Sequence, residues 1–372
     1  MCCRPYRMRS QLVARVIRKL GSLFYEYPRV PEDVVRQGKF GQLKMAVVTD
    51  YFTTECLSEE CRIRSMTPGN YREIINEWKP DLVFVESAFH GLRGAWRYEL
   101  AKQPKLLLLS KPKAIYRLVE YARSRGIPTV FWNKDDGAFF DAFIDVAQAF
   151  DYVFTTDKEC IERYRQHVPA RVPVNTLVMP YQPAFHDFAG FDFTRKEACF
   201  TGSYYRRILN ERRRFLDMMF DACEEADVLL NVFDRNHDRL SRHFEFRFPR
   251  KSQLRLHGRV PHRETAQVYK SHAVSLNVNS VTDSETMFSR RLLEILACGG
   301  IAATNRSRAV DRYFCDYCHV VNTPEEAQEL LSRLRHGPSR EDMERAEAGA
   351  TYVRQNHTWT HRLEELCAIV KI

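Results

Sequence analysis

Short apolar runs alternate with helix-length amphipathic segments along most of this chain. That alternation limits the fold more tightly than any single motif. Met45-Ala46-Val47-Val48-Thr49, Asp81-Leu82-Val83-Phe84-Val85, Thr129-Val130-Phe131-Trp132 and Tyr152-Val153-Phe154-Thr155-Thr156 read as buried strands, with Val174 to Met179 strand-like. Tyr71 to Trp78 (stopped by Pro80), Ala114 to Arg125, Asp141 to Phe150 and Cys160 to His167 read as the helices between them. The segment carrying Cys56 and Cys61 reads as a loop. A second series repeats the pattern. Its strands are Ala198 to Phe200, Val228 to Phe233, Val274 to Val278, Ile301 to Thr304 and His319 to Val321, and Leu254 to Val260 reads as a strand and turn. Its helices include Asn210 to Glu225, Glu325 to Leu334, Glu341 to Arg354 and Trp359 to Val370. Strands alternating with helices predict an α/β protein with parallel, doubly wound sheets. A length of 372 residues suggests two domains. The proline- and aromatic-rich passage from Pro180 through Tyr181, Pro183, His186 and Gly190 to Phe193 reads as the hinge between them.

The polar residues follow a rule of position. Asp50, Glu86, His90, Asn133, Asp135, Asp136 and Thr156 all come just after the C-terminal ends of apolar strands. One such residue is ordinary loop polarity or a helix cap. Their recurrence points to the edge of an open α/β sheet where ligands bind. In the second half, Thr201-Gly202-Ser203-Tyr204 forms a tight turn after a strand. Arg206, Arg207, Arg212, Arg213 and Arg214 then crowd the start of a helix, where positive charge opposes the helix dipole. A phosphate at that end relieves the conflict; a solvated basic face is the plainer alternative.

The stretch Ser289-Arg290-Arg291-Leu292-Leu293-Glu294-Ile295-Leu296-Ala297-Cys298-Gly299-Gly300 carries the most chemistry. Leu292, Leu293, Leu296 and Ala297 fall on one helical face, and Gly299-Gly300 supplies a C-terminal stop. Arg291 and Glu294 lie three apart near the N-terminus, on one helix edge. There an arginine can hold phosphate oxygens while a carboxylate accepts from ribose hydroxyls. The bland alternative is a buried crossover helix with a solvated ion pair.

Lys and Arg number 57 against 48 Asp and Glu, a net charge of +9 that suits an anionic partner without selecting one. A nucleic-acid binder is disfavoured, because the arginines spread over both halves and interleave with acids. The eleven cysteines are odd in number and no secretory signal precedes them, so a reducing cytoplasm is the expected context. Cys315-Asp316-Tyr317-Cys318 has no second ligand pair nearby, and no metal site is expected. No stretch is long and apolar enough to span a bilayer. Residues 1 to about 27 form a basic amphipathic helix in this reading, with Leu12, Val13, Val16, Ile17 and Leu20 as its stripe. It either docks on the domain or lies on an anionic membrane face. Pro28 and Pro31 mark a linker behind it.

Several motifs, taken in order, resemble the spore-maturation-protein (CgeB-type) glycosyltransferase-like family within the GT-B glycosyltransferases. They are Glu86-Ser87 with Gly91 and Trp96, Phe131-Trp132-Asn133-Lys134-Asp135-Asp136, Phe154-Thr155-Thr156-Asp157 and Phe200-Thr201-Gly202-Ser203-Tyr204. His257-Gly258-Arg259-Val260-Pro261, Arg291-Leu292-Leu293-Glu294 with Ala297-Cys298-Gly299, and His357-Thr358-Trp359-Thr360-His361-Arg362 follow. The likeness runs from about Lys44 to the C-terminus.

The resemblance implies two Rossmann-like domains facing a cleft. It divides the chain into a basic extension (1–40), an acceptor domain (41–185), a nucleotide-sugar domain (186–352) and a final helix crossing back (353–372). It implies Glu294 on the ribose, Arg291 near the diphosphate, and Gly202, Ser203 and Arg212 in the phosphate-facing turn. Tyr204, Arg206, Asn279 and Arg290 complete the expected donor set. Trp132, Asn133, Lys134 and Asp135 are expected to bind the acceptor, a glycan or a lipid-linked or protein hydroxyl. Asp136, Glu86 and His90 are the candidate catalytic bases. A nucleotide-diphosphate sugar is then the substrate, and neither a cofactor nor a metal is expected. The setting expected is the cytoplasm, with peripheral contact at a membrane's cytoplasmic face, and no nucleic acid partner. One departure stands out: many retaining relatives carry an acid eight positions before the ribose glutamate, and here Thr286 occupies that place, with Glu285 beside it. Inverting and retaining transfer both stay open, as does a non-catalytic scaffold that binds nucleotide or glycan.

Overall fold

The apolar runs become parallel strands in the computed structural model, which describes residues 28–102, 114–239 and 243–372. Strands β1 (Lys44–Val48), β2 (Arg62–Ser65), β3 (Leu82–Glu86), β4 (Thr129–Asn133), β5 (Tyr152–Thr155) and β6 (Val174–Thr176) form one sheet, ordered β2-β1-β3-β4-β5-β6. Strands β7 (Arg195–Gly202), β8 (Leu230–Asp234), β9 (Leu254–His257), β10 (His272–Leu276), β11 (Ala302–Thr304) and β12 (His319–Val320) form the second, ordered β12-β11-β10-β7-β8-β9. All the pairings are parallel. Helices cover both faces of each sheet. β3 and β4 are therefore buried along their whole length, and their sequences run apolar rather than alternating.

Strand order places the binding crevices. From β1 the chain goes to β2 on one side and later to β3 on the other; from β7 it goes to β8 and later to β10. Ligands of open α/β sheets sit at such reversals, beyond the carboxyl ends of the strands. Loops from these two edges meet. Arg263 reaches Glu55 (2.8 Å) and Glu59 (2.7 Å), and the Ser284 hydroxyl donates to Asp157 (2.6 Å). The architecture is α/β with two Rossmann-like sheets facing a cleft.

The last helix, Trp359–Val370, leaves the second sheet and packs on the first. Trp359 lies edge-on to Trp132 with ring centres 5.8 Å apart. Leu363, Leu366, Cys367 and Val370 join Met45, Val47, Leu82, Phe84 and Val130 in one buried cluster.

Two elements differ from the sequence reading. The segment read as a loop holds the helix Tyr51–Leu57 and edge strand β2. The helix is capped by Asp50, whose side chain accepts from Thr53 N–H, and six of its seven residues are buried, so no amphipathic stripe marks it. β2 offers Ile63 as its one buried apolar side chain, between Arg62 and Arg64, which pair with Asp33. Tyr71–Glu73 runs on as a π-helical turn, Ile74–Trp78, and stops where Lys79 takes a left-handed φ of 51°. The amphipathic helix predicted before residue 28 lies outside the described residues. Among the described residues no helix is long and apolar enough to cross a membrane.

Candidate active site

At the β7/β10 reversal, β7 ends in Thr201-Gly202 and the chain turns at Ser203. The helix Arg290–Ala297 lies alongside. Gly299 follows it at φ 69°, the left-handed stop that its sequence predicts. Arg291 donates from Nε to the Thr201 carbonyl (2.6 Å) and stacks on Phe200 (4.9 Å). A Cβ at Gly202 would sit 2.6 Å from the Arg291 guanidinium and 2.7 Å from Phe200, so only glycine leaves this arginine its place. Arg212 donates to the carbonyls of Val278 and Ser203, both at 3.2 Å. Arg235 follows β8, and its N–H bonds the Gly202 carbonyl (3.2 Å). Asn236 donates to the Ser203 hydroxyl (2.8 Å), fixing the turn.

Arg212, Arg235 and Arg291 form no ion pair among the described residues, though each lies within electrostatic reach of the others. Arg212 Nε and Arg291 Nη1 are buried without a hydrogen-bond partner. Burial, with Arg291 and Arg235 adding repulsion, pushes Arg212 down from 12.5 to about 9. Burial also lowers Arg291. The buried Arg212 and the half-buried Arg291, with the exposed Arg235 beside them, are cations without an ion-pair partner, an arrangement that is costly for the buried member unless an anion completes it.

Glu294 is deeply buried, and its Oε1 takes Arg290 and His262, both at 2.8 Å. Its ion-pair partner is therefore Arg290, one turn back, and not Arg291 as the spacing suggested. Burial opposes a charge on Glu294, yet Arg290 and His262 outweigh it and hold the carboxyl well below its usual range. His262 shows the converse. Burial disfavours its charged form, but Glu294 and Glu55 raise its pKa well above 6.5. Ligand atoms of His186, His262 and Glu294 lie within 4.8 Å of one another. Arg290 and a protonated His262 already neutralise that carboxylate, so the cluster is a charge network in which a metal would meet two cations. Asn279 is spent on structure: it accepts from Ser289 N–H (2.9 Å) at the helix start and donates to Thr304 (3.1 Å).

Two predicted donor residues point elsewhere. Tyr204 packs with Phe220 and Phe248 and gives its hydroxyl to Asp217 (2.7 Å). Arg206 stands at the rim of a separate pocket with Arg247 and Arg250.

Across the cleft, the ends of β1, β3 and β4 bring Asp50, Glu86 and Lys134 together. Lys134 Nζ contacts Asp50 (2.5 Å) and Glu86 (3.0 Å). Glu86 also accepts from the Asp50 N–H and from the Thr53 hydroxyl (2.5 Å). Burial, with Asp50 beside it, pushes Glu86 upward; burial acts on Asp50 too, but Lys134 wins and holds it low. Glu86 is fully buried and shared among these donors, so it positions Lys134 and does not face a substrate.

The run Trp132 to Asp136 divides into structural and cleft-facing groups. Trp132 lies in the core, donating to the Leu177 carbonyl (2.9 Å). Asn133 is buried and donates to Asp136 (2.6 Å) and Tyr164 (2.9 Å). Asp136 is sealed behind them, and burial pushes its carboxyl up to about 8. The placement of these three differs from the sequence reading, which expected them to face an acceptor: the strand end turns them inward, where they are buried. Lys134 and Asp135 remain partly exposed. Asp135 accepts from the Ser87 hydroxyl (2.9 Å), and burial raises its pKa against the pull of Lys134. It also feels the charge of Arg235 from the opposite domain. His90 is exposed, away from the Asp50–Lys134 group's hydrogen bonds.

Thr286 accepts from the Lys158 N–H (2.8 Å) and donates to the Thr156 carbonyl (2.9 Å). Glu285 is occupied by Lys158, Arg308 and Arg312. Both sites of the missing acid are therefore committed to joining the domains. The sequence reading missed His262, Arg235 and the role of Asp50. His262 lies 32 positions from its partner Glu294, and Arg235 sits in a run of mixed charge, so only the strand before it was a signal.

Residues 212–368 match a family described as glycosyl transferase-like. No curated protein matches the chain. Among solved structures, HepE of Anabaena in complex with UDP and glucose superposes with a TM-score of 0.53 at 9% identity, covering 89% of this chain and 100% of that one. A glycosyltransferase of Rickettsia africae gives 0.54 at 10%, covering 89% and 98%. A DNA-modifying β-glucosyltransferase, determined with and without uridine diphosphoglucose, gives 0.56 at 9%, covering 89% and 100%. At such identities the likeness is one of fold, and that fold is GT-B.

Proposed function

We propose that this protein is a glycosyltransferase that moves a sugar from a nucleoside-diphosphate donor to a hydroxyl acceptor. One observation carries the reading: Arg212, Arg235 and Arg291 gather at the β7/β10 reversal without an ion-pair partner among the described residues. A diphosphate is the anion that such a cradle suits, and its charge grows as the glycosidic bond to it breaks. These guanidiniums then do the work that a divalent metal does elsewhere, and turnover persists in EDTA. UDP is the first nucleotide to test, because the HepE and β-glucosyltransferase structures were determined with UDP or its glucose ester. Glu294 is assigned to the ribose hydroxyls through Oε2, since Arg290 and His262 both bond Oε1.

The acceptor is placed against the first domain, at Lys134 and Asp135, and is a glycan or lipid-linked hydroxyl. Asp135 replaces Asp136 and Glu86 as the carboxylate facing it. In an inverting transfer Asp135 takes the acceptor proton; in a retaining one it orients the hydroxyl. The narrower kinship with spore-maturation proteins and a cytoplasmic setting are part of the same proposal. The lost acid at Thr286 favours a second reading, a nucleotide-binding scaffold without turnover. A thermal-shift screen of nucleoside diphosphates and their sugars, on wild type and Glu294→Ala, tests the donor site. Stabilisation by one nucleotide, lost in the variant, is expected. No stabilisation of wild type by any nucleotide refutes the site. Release of nucleotide from its sugar on adding acceptor separates enzyme from scaffold.

A further inference from the structure

Beyond the donor cradle, the loops after β7 and β8 enclose a second pocket of about 350 Å³, lined by Tyr204, Arg206, Arg247, Phe248, Pro249 and Arg250. That volume is within the range of small-molecule sites. The pocket is built rather than accidental. Arg206 N–H bonds the Glu245 carbonyl (3.0 Å), and the Arg213 guanidinium holds the Arg206 carbonyl. Tyr205 meets Phe246 edge-on at 5.3 Å, and Tyr204 lies 5.5 Å from Phe248 across the floor. Both loops are thus pinned, with an aromatic floor and an arginine rim.

Arg206, Arg247 and Arg250 are exposed, and among the described residues no carboxylate pairs with them. Two nearby acids are engaged elsewhere, Asp217 by Tyr204 and Glu211 by Arg214, and Glu245 of the same loop makes no ion pair with the three among the described residues. Three guanidiniums around one concavity repel each other until an oxyanion enters, and planar forks favour phosphate. Ile208 and Phe244, two of the more exposed large apolar side chains, project from the same two loops. We propose that this pocket binds the phosphate group of a second ligand, distinct from the sugar donor, whose ring or apolar body rests on the aromatic floor. A soluble phosphorylated sugar and a lipid phosphate headgroup share that chemistry. The inference does not depend on the donor assignment, because the arginines involved are different ones.

Arginine footprinting with phenylglyoxal on the full chain, read by mass spectrometry, tests it site by site. Inorganic phosphate is expected to slow modification of Arg206, Arg247 and Arg250 by about tenfold while exposed Arg255 reacts as before. Chloride at matched ionic strength is expected to do nothing. Vesicles containing phosphatidic acid form the second arm. Protection at lower phosphate concentration by vesicles identifies a lipid headgroup, and protection by free phosphate alone identifies a soluble ester. Absence of protection in both arms overturns the proposal, as does equal protection by chloride. In Arg247→Gln/Arg250→Gln the phosphate effect on Arg206 is expected to vanish while the thermal shift with UDP stays. If the double variant loses the UDP shift as well, the pocket belongs to the donor site and no second ligand is needed.

Discussion

Arg212→Met separates a cation held for a ligand from a cation that braces the fold. Burial and its arginine neighbours press the Arg212 proton affinity down from 12.5 to about 9. At about 1.4 kcal/mol per tenfold change, keeping that charge costs the ligand-free protein up to about 5 kcal/mol. Against this stand its two hydrogen bonds, to Val278 and Ser203, which as charged bonds contribute about 1.5–3 kcal/mol each. The terms nearly cancel. Ligand-free Arg212→Met is therefore expected within about 2 kcal/mol of wild type in urea denaturation, unlike the usual loss on cutting into a buried site. Binding behaves differently. A charged hydrogen bond to the diphosphate disappears, weakening UDP by about tenfold to a hundredfold in calorimetric titration. Sulfate, which also suits the cradle, is expected to stabilise wild type more than the variant. A variant that loses more than about 4 kcal/mol yet binds UDP like wild type would refute the reasoning, for Arg212 would then be a strut.

The other expectations follow from groups sealed in the two domains. Asp136 binds a proton more tightly folded, near pH 8, than unfolded, so stability falls as pH rises from about 4 toward 8. Asp136→Asn is expected to melt higher, with the gain growing toward pH 8, and to keep activity; loss of turnover with an intact fold would restore Asp136 as the base. His262 has its folded pKa raised above 6.5, so its stabilisation is full below about pH 6.5 and is lost as pH climbs through the folded value. The advantage of wild type over Glu294→Gln in melting temperature should shrink on that climb, and a gap that stays constant throughout the alkaline range contradicts the His262–Glu294 pairing. Trp359→Ala removes a buried ring from the join between the last helix and the first sheet, at a cost of about 3–5 kcal/mol in denaturant unfolding. A loss below about 1 kcal/mol would show that the helix docks without it.

The strands and the long helices were legible because burial on both faces leaves an unbroken apolar record, as in Leu82 to Val85 and Val130 to Trp132. Tyr51–Leu57 and β2 left none, because a short helix buried all round has no amphipathic stripe and a four-residue edge strand with one buried apolar side chain is too short to show its period. At the site, sequence position placed side chains at strand ends but not their direction. Asn133 and Asp136 turn inward to Tyr164, whereas Lys134, between them, reaches Asp50 from 84 positions away. Local spacing favoured Arg291 as the partner of Glu294. Tertiary contacts gave Glu294 to Arg290 and His262, and left Arg291 to Thr201 and Phe200. Pairings between distant segments are set by packing, which one-dimensional spacing does not record.

The chain passes between its two sheets at two places, and these crossings are joined to each other. Tyr181 N–H bonds the His357 carbonyl (3.0 Å), and Trp359 N–H bonds the Tyr181 carbonyl (3.1 Å). Behind this joint, Trp359 and its helix are sealed against the first sheet by apolar contacts. The other contacts between domains are mostly polar: Ser284 with Asp157, Lys158 with Thr286, and Arg263 with Glu55 and Glu59. Arg263 is exposed at its end of the pairs with Glu55 and Glu59, whereas Ser284, Asp157 and Thr286 are buried and would be left without partners if those contacts parted. Any rotation of one domain against the other would keep the Tyr181–Trp359 joint and would have to break these polar contacts at the opposite edge. That edge lies between the cations at β7/β10 and the carboxylates at β1, β3 and β4. An anion bound to Arg212, Arg235 and Arg291 would remove their mutual repulsion and so favour the arrangement that holds the three together.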